Sequence, residues 1–311
     1  MLTCRSLDEL ACLAEPLHLA LGVFDGVHVG HQVVLRRAID AAAEHGGLAG
    51  LVTFDPHPIQ VIAPAKAPTS LLATLDHKAD VVADLGIGLF VALRFDQAMA
   101  AMQAEDFLRK LTTGKVKTIA VGEDWRFGHD RGGDANFLLR NAETLGYRLE
   151  AVPPVMFEGD RISSTRIRQA IRDGNLDAAA RMLGRPYSVC GNVVSGEKLG
   201  RQLGFPTANI DTGGLQLPPA GVWAVRCHHR RHGCLAGAAN LGTRPSVEGG
   251  GLRLEVHLLD FSGDLYGEEL DVEFVRRLRE EIRFRNLDEL KSAITADVEN
   301  VRVLLAADKP A

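Results

Sequence analysis

The spacing of apolar and polar positions changes character near residue 185. Before it, short apolar runs (LHLALGV at 17–23, LAGLVTF at 48–54, GLFVALRF at 88–95, VKTIAVG at 116–122 and YRLEAVPPV at 147–155) alternate with helical periodicities such as AAMQAEDFLRKL at 100–111. Strands interleaved with helices predict a parallel sheet with helices on its faces, an α/β domain. From Tyr187 the runs become YSVCGNVVSG, GVWAVRCHH, CLAGAANLG, LRLEVHLLDF and ELDVEFV, broken by Gly and Pro turns and lacking crossover helices. That pattern predicts an antiparallel barrel or sandwich. A polar helix closes it, NLDELKSAITADVENVRVLLA at 286–306, with Asn286 as N-cap and Glu289 three residues on. A short amphipathic helix, NLDAAARML at 175–183, precedes the change, so the boundary is expected within Leu183 to Pro186, giving domains 1–184 and 185–311. Two further stretches read as structural: RRLREE at 276–281 as a partly solvated helix, and HHRRHG at 228–233 as a hairpin loop whose histidines lack a defined ligand geometry.

At 311 residues, 46% hydrophobic and 24% charged, the chain can fill two ordinary cores. A formal net charge of -5 supplies no general attraction to nucleic acid or an anionic membrane, so an anionic ligand must be held by a few local groups. The five cysteines, Cys4, Cys12, Cys190, Cys227 and Cys234, include no CxxC pair, which suits reduced thiols in a cytoplasm. No signal-peptide pattern opens the sequence, and no run approaches the roughly 20 apolar residues that cross a bilayer. The expectation is a soluble cytoplasmic protein whose partners are small molecules, neither nucleic acid nor membrane, with the oligomeric state left open.

Candidate chemistry lies in a few Gly-rich and hydroxyl-rich stretches. GVFDGVHVGH at 22–31 falls where a strand turns into a helix. Its glycines let the backbone approach a phosphate at the helix N-terminus, and His28 and His31 can both donate to one phosphoryl group as negative charge develops on it. The same residues also suit a capped turn with solvent-facing histidines, or a metal pair short of further ligands. DPHP at 55–58 reads as a proline-stiffened strand exit. In SSTRIR at 163–168 three hydroxyls open a helix, as ordinary caps or, with Arg166, Arg168 and the free amides, as a polyphosphate site. GEKLGRQLGFPTANI at 196–210 can wrap phosphates while oxygens of Thr207 and Asn209 reach Mg²⁺; it is otherwise a solvated hairpin, and no Walker P-loop pattern occurs. Glu255, on the alternating strand LRLEVHLLDF, faces away from Leu254 and Val256, either into solvent or toward an alcohol whose proton it takes.

GVFDGVHVGH resembles the first signature of the bacterial bifunctional riboflavin kinase/FAD synthetase family, whose HxGH is a variant of the HIGH motif of nucleotidyltransferases. Further matches follow in order: VTFDPHP at 52–58, VGEDWRFG at 121–128, ISSTRIRQAI at 162–171, GRQLGFPTANI at 200–210, ANLGTRPSV at 239–247, LEVHLLDF at 254–261 and LREEIRF at 278–284. Eight motifs in order, spread over nearly the whole chain, make the resemblance specific. It implies a Rossmann-like α/β nucleotidyltransferase domain of HIGH type, followed by an antiparallel β-barrel riboflavin kinase domain with a terminal helix. The implied reactions are ATP-dependent phosphorylation of riboflavin to FMN in the barrel, then adenylylation of FMN to FAD with release of pyrophosphate in the first domain, aided by Mg²⁺.

By resemblance, His28 and His31 are the catalytic clamp of adenylyl transfer, and Gly22, Phe24, Asp25, Gly26, Gly30, Ser163, Ser164, Thr165 and Arg168 bind its ATP. Asp55, His57 and Asp124 lie beside the nucleotide or flavin, and SSTRIR is the counterpart of the KMSKS loop without its lysines. In the kinase domain Gly196, Lys198, Gly200, Arg201, Gly204, Pro206, Thr207 and Asn209 bind ATP, Thr207 and Asn209 hold the metal, Glu255 is the base, and Arg279, Glu281 and Phe284 cover the flavin. Trp125 stands where the family often has Phe, a change that keeps an apolar contact. Ser195 stands where many relatives carry His, which leaves that position without an implied role. The alternatives are a chain retaining only one activity, against which the presence of both motif sets weighs, or a flavin-binding regulator without turnover, against which intact His28, His31 and Glu255 weigh.

Overall fold

The computed structural model describes residues 1–196, 199–242 and 252–307. The chain divides into two compact units, Met1–Leu71 with Leu75–Ser164, and Leu72–Thr74 with Thr165–Ala311.

In the first unit β1 (Leu2–Cys4), β2 (Leu17–Leu21), β3 (Leu48–Asp55), β4 (Leu89–Arg94), β5 (Val116–Gly122) and β6 (Arg148–Val152) form one parallel sheet in the order β1-β4-β3-β2-β5-β6. Helices α1 (Leu7–Ala11), α2 (Val29–His45), α3 (Pro58–Ile62), α4 (Leu75–Asp84), α5 (Gln97–Ala101), α6 (Ala104–Leu111) and α7 (Ala135–Leu145) connect the strands, and β7 (Met156–Phe157) pairs with β8 (Asp160–Arg161) in a separate hairpin. The α/β expectation holds. Strand β2 is buried end to end because helices cover both faces: Leu17, Leu19 and Leu21 pack into one core, with Leu108 and Ile119, and Ala20 into another, with Phe24, Leu35 and Leu51. Each fully buried leucine contributes about 2 kcal/mol, so Leu19→Ala is a change that this sheet would feel. The polar exception, His18, is satisfied by Thr118 Oγ1 at 2.9 Å and the Gly46 carbonyl at 3.0 Å.

The helical stretch at 100–111 is two helices rather than one, α5 and α6. The amide of His129 takes the Met102 carbonyl at 2.8 Å, and Gly128 lies so close to Ala104 that a Cβ there would sit 2.6 Å from its nitrogen. A loop from far along the chain thus competes for the helix's own backbone partners.

The second unit begins with α8, which runs Ser164–Arg172 from the last residue of the first, and α9 (Leu176–Leu183), whose N-cap Asn175 accepts from the Ala178 amide at 3.1 Å. Strands β9 (Ser188–Val194), β10 (Ala208–Ile210), β11 (Gly221–His229), β12 (Gly233–Gly242), β13 (Arg253–Leu258) and β14 (Glu269–Arg279) close into an antiparallel barrel in the order β10-β13-β12-β11-β14-β9. Of the barrel and sandwich left open by the pattern, the barrel forms. Its interior is filled by Val189, Val225, Leu241, Leu254, Val256, Leu270 and Val272, none more than 1% exposed. Helix α10 (Leu199–Leu203) lies in the β9–β10 connection, and α11 (Leu287–Ala307) packs Val298 and Val301 with Ala224 of β11 and Ala238 of β12, whose small side chains allow close approach.

RRLREE is not a helix: through Arg279 it is the end of β14, with Arg276, Arg277 and Arg279 in register with Ala224, Trp223 and Val222 of β11. Closing the barrel requires those backbone partners, and this overrides the helix propensity of Arg, Leu and Glu. HHRRHG is the expected hairpin turn, in which His229 is buried against Glu268 at 2.9 Å and stacks on His232. The α11 cap also forms, Glu289 N donating to Asn286 Oδ1 at 2.8 Å, while the Glu289 carboxylate accepts from the Arg285 amide at 3.0 Å.

Candidate active sites

Strand order in the sheet reverses at β2, with β3 on one side and β5 on the other. Ligands of open α/β sheets bind at such a switch point, at the carboxyl ends of the strands. GVFDGVHVGH leaves β2 there, and VGEDWRFG leaves β5 beside it. The first loop turns tightly: Phe24, Gly26 and Val27 all adopt left-handed backbone, at φ 52°, 80° and 44°. For a β-branched valine this is strain of about 1–3 kcal/mol, the kind that accumulates at functional sites. Phe24, Asp25, Val27 and His28 are buried, so the turn is held from beneath.

His28 caps α2, its Nδ1 accepting the His31 amide at 3.2 Å. That bond places the proton of a neutral His28 on Nε2, as a donor. The two imidazoles stack with centroids 3.5 Å apart, and Phe24 meets His31 edge-on. A Cβ on Gly30 would come within 3.2 Å of the His28 ring, so glycine here leaves room for the stack. His31 is held well below the ordinary histidine range, first by burial and then by His28, Lys78 and Arg161. Its buried Nδ1 has no hydrogen-bond partner among the described residues, a desolvation cost that a ligand would offset.

Ser164 Oγ donates to the Asp25 carbonyl at 2.9 Å, tying the last residue of the first unit to the loop. Ser163 is half-buried beside it; Thr165 is exposed in the first turn of α8 and Arg168 is buried on the same helix. Asp55 ends β3, exposed, and His57 caps α3 by accepting from the Ile59 amide at 3.3 Å, so the proline-stiffened exit also starts a helix. Asp124 pairs with Arg161 of β8, and Trp125 stacks on Phe127 at 4.6 Å, preserving the apolar contact expected for a Phe. The first unit adds residues that the sequence did not single out. Lys78 of α4, only 6% exposed, donates to the Val23 carbonyl at 2.9 Å and to Thr53 Oγ1 at 3.3 Å, and Thr53 donates to the same carbonyl at 2.8 Å. Its neighbours on the helix, LDHKADVVAD, read as an ordinary half-solvated face, so no local signal marks it.

The second candidate site is a cavity of about 300 Å³ on the outer side of the barrel, lined by Thr207, Asn209, Glu255, Arg279, Glu281 and Phe284 among others. Glu255 pairs in register with Asn209 of β10 on one side and Asn240 of β12 on the other, so three polar side chains form one row across the barrel wall. Leu254 and Val256 point into the barrel, 1% and 0% exposed, which turns Glu255 outward as alternation requires. It is half-buried in the cavity rather than solvated. Gly196 and Gly200 bring the backbone against the site's polar side chains: a Cβ would meet the Asn209 amide nitrogen at 2.2 Å and the Thr207 hydroxyl at 3.4 Å.

Where a loop was expected around the phosphates, the chain makes the helical turn α10; Arg201 on it is exposed and, with Pro206, lines a neighbouring cavity of about 470 Å³ that shares Thr207. Gly204 follows α10 with φ 92°, and His257 Nδ1 donates to the Pro206 carbonyl at 2.8 Å. Ser195 is exposed. Lys198, and residues 243–247 of ANLGTRPSV, lie outside the described residues. Arg279 forms a bidentate pair with Asp297 of α11, Nε to Oδ1 at 3.0 Å and Nη2 to Oδ2 at 2.7 Å, and its guanidinium carbon is 5.7 Å from the Phe284 ring centre. Glu281 lies against Gly242, where a Cβ would clash with its carboxylate. Asp297 and Asn240 were not foreseen, since each enters the site from an element distant in sequence.

Comparison with known proteins agrees with this two-part layout. A family model described as FAD synthetase matches residues 12–166, and one described as riboflavin kinase matches residues 183–305. The bifunctional riboflavin kinase/FMN adenylyltransferase of Pseudomonas fluorescens is 42% identical over 289 residues, 92% of each chain, and that of Escherichia coli K12 is 39% identical over 295 residues, 94% of each chain. A crystal structure described as a macrolide-efflux protein from Streptococcus pneumoniae superposes with a TM-score of 0.83 at 31% identity, covering 97% of this chain and 99% of the other. No helix among the described residues is long and apolar enough to cross a membrane. With both domain models matched in order and relatives aligned over more than nine-tenths of its length, the chain belongs to the bifunctional riboflavin kinase/FMN adenylyltransferase family.

Proposed function

We propose that the barrel phosphorylates riboflavin with ATP, giving FMN and ADP, and that the α/β unit transfers AMP from a second ATP to FMN, giving FAD and pyrophosphate. The observation that carries this reading is the coexistence of two separately built sites, the His28–His31 stack at the switch point and the Asn209–Glu255–Asn240 row in the barrel cavity. In the first step the flavin hydroxyl attacks the γ-phosphorus, its proton passes to the Glu255 carboxylate, and the bond to the leaving ADP breaks. In the second an FMN phosphate oxygen attacks the α-phosphorus and pyrophosphate leaves, while neutral imidazole N–H groups and the first amides of α2 take up the added charge.

Thr207 and Asn209 supply hard oxygen donors in the same cavity as Glu255, a donor set that suits Mg²⁺ shared with nucleotide phosphates. Bound there, the ion would neutralise charge on the phosphates. We also propose riboflavin, FMN and ATP as its partners rather than nucleic acid or membrane, and the cytoplasm as its compartment; the five free thiols support the latter. Purified protein given riboflavin, ATP and Mg²⁺ tests the whole reading by chromatography: FMN followed by FAD supports it, and tight flavin binding without either product overturns it.

The functional boundary is placed at 184/185. A fragment of residues 185–311 is expected to fold and form FMN. One beginning at residue 165 is expected to melt higher, because it keeps α9, where Ala179, Met182 and Leu183 are buried, and the Arg172–Gln216 hydrogen bond at 3.3 Å. Thermal melts of the two fragments check this; an unfolded shorter fragment beside a folded longer one moves the boundary to 164/165. Within the barrel, Asp297→Ala is expected to free the Arg279 guanidinium. Loss of a charge-assisted pair worth about 1.5–3 kcal/mol would raise the KM for riboflavin about 10- to 100-fold with a smaller change in kcat. A KM unchanged in steady-state assays would show that Arg279 does not hold the flavin.

A further inference from the structure

Neither imidazole of the first site brings a dependable positive charge to it. His31 is half-buried, its pKa held well below the ordinary histidine range chiefly by desolvation, and the Nδ1 of His28 is occupied by a backbone amide. Yet adenylyl transfer gathers the charges of a triphosphate and a flavin phosphate in one place. Charge must come from elsewhere, and directly beneath the signature loop lies a buried ammonium.

We propose that Lys78 is a positioning residue of the adenylyl-transfer site: it holds the Val23 carbonyl, and through it the left-handed turn that presents His28 and the opening amides of α2 to a nucleotide phosphate. Val23 immediately precedes Phe24, where the backbone enters its positive-φ course. Its carbonyl receives two donors, Lys78 Nζ at 2.9 Å and Thr53 Oγ1 at 2.8 Å, and these two are themselves 3.3 Å apart. An apolar side chain at 78 would fill the space but leave that carbonyl with Thr53 alone. A buried lysine is a costly way to cap one carbonyl. Its retention makes sense where the charge itself is used, since an ammonium under a loop in a low dielectric acts strongly on an anion above it.

The groups facing Lys78 are Asp25 from the loop after β2, Asp55 at the end of β3 and His31 on α2. Burial pulls its pKa down to about 8, against the opposing pull of Asp25 and Asp55. A polyphosphate bound above would favour the charged form. The sign follows: affinity for an anionic nucleotide is full below about pH 8 and falls as pH rises through it, by up to tenfold per pH unit for one proton. ATP is already fully ionised in that range, so the fall would belong to the protein.

The proposal rests on reading this unit as an adenylyltransferase, and the test separates the two. In the full chain, kcat/KM for ATP in FAD formation, measured with supplied FMN from pH 7 to 10, should show a descending limb near pH 8. Lys78→Arg, which stays charged throughout, should move the limb out of the range. Lys78→Met should lower kcat/KM about 10- to 100-fold at pH 7 and flatten the profile, with riboflavin phosphorylation by the same protein within twofold of the parent as the control for folding. A parent without FAD synthesis would overturn the adenylyltransferase reading. A parent that makes FAD, with its limb unmoved in Lys78→Arg, would overturn the role of Lys78 even if Lys78→Met fails to fold.

Discussion

Replacing Glu255 by glutamine is expected to lower kcat for riboflavin phosphorylation by about 10²- to 10⁴-fold, the usual cost of removing a general base. Glutamine keeps the size and much of the hydrogen bonding of glutamate but is a far poorer proton acceptor. Because Glu255 is half-buried on the outer barrel wall, with Leu254 and Val256 carrying the interior packing, the barrel should remain folded and still bind flavin. Supplied with FMN directly, the same protein should make FAD at nearly the parental rate, since His28 and His31, the proposed catalytic groups of adenylyl transfer, belong to the other unit. Chromatographic assays of the two steps separate these outcomes. Normal phosphorylation by the variant would make Glu255 a bystander on the strand and require another group to activate the hydroxyl.

Alanine at His28 and His31 together should have the mirror effect, suppressing FAD formation while FMN formation persists. Removal of one preorganised donor to a developing oxyanion costs on the order of 10²–10³ in rate. The two changes should be less than additive, because the rings stack at 3.5 Å and the His28 ring caps the amide of His31. The loss should appear in kcat more than in KM, as expected for contacts that strengthen in the transition state. His28→Ala carries a further cost that His31→Ala does not, since it also removes the α2 cap, worth about 1 kcal/mol of stability. Thermal melts should distinguish the two single variants. Equal loss of both activities in the double variant would mean that the chemistry has been misplaced.

Much of the fold was legible because burial writes itself locally. Strands β2 to β5 announced themselves as apolar runs, since a parallel strand covered on both faces can carry little else. Strands β13 and β14 alternated, since one face of each packs inward. Elements that depend on a distant partner left no such mark. Strands β1 and β10 have three residues each, too few to show a period, and exist because β4 on one side, and β9 with β13 on the other, offer backbone groups to pair. RRLREE reads as helix on propensity and is strand by closure of the barrel.

The candidate sites divide along the same line. Residues whose role depends on their immediate neighbours could be read from the sequence: the glycine and histidine spacing after β2, the hydroxyls opening α8, the alternation that turns Glu255 out of the barrel. What only the tertiary structure decided is which distant groups complete them. Lys78 reaches the Val23 carbonyl across 55 positions, Asp297 reaches Arg279 across 18, and Asn240 meets Glu255 only through strand register. A side chain's type and spacing report its local geometry, whereas its burial and its partner follow from how the whole chain closes its core. That closure buries Lys78 beneath a loop whose own sequence gives no hint of it.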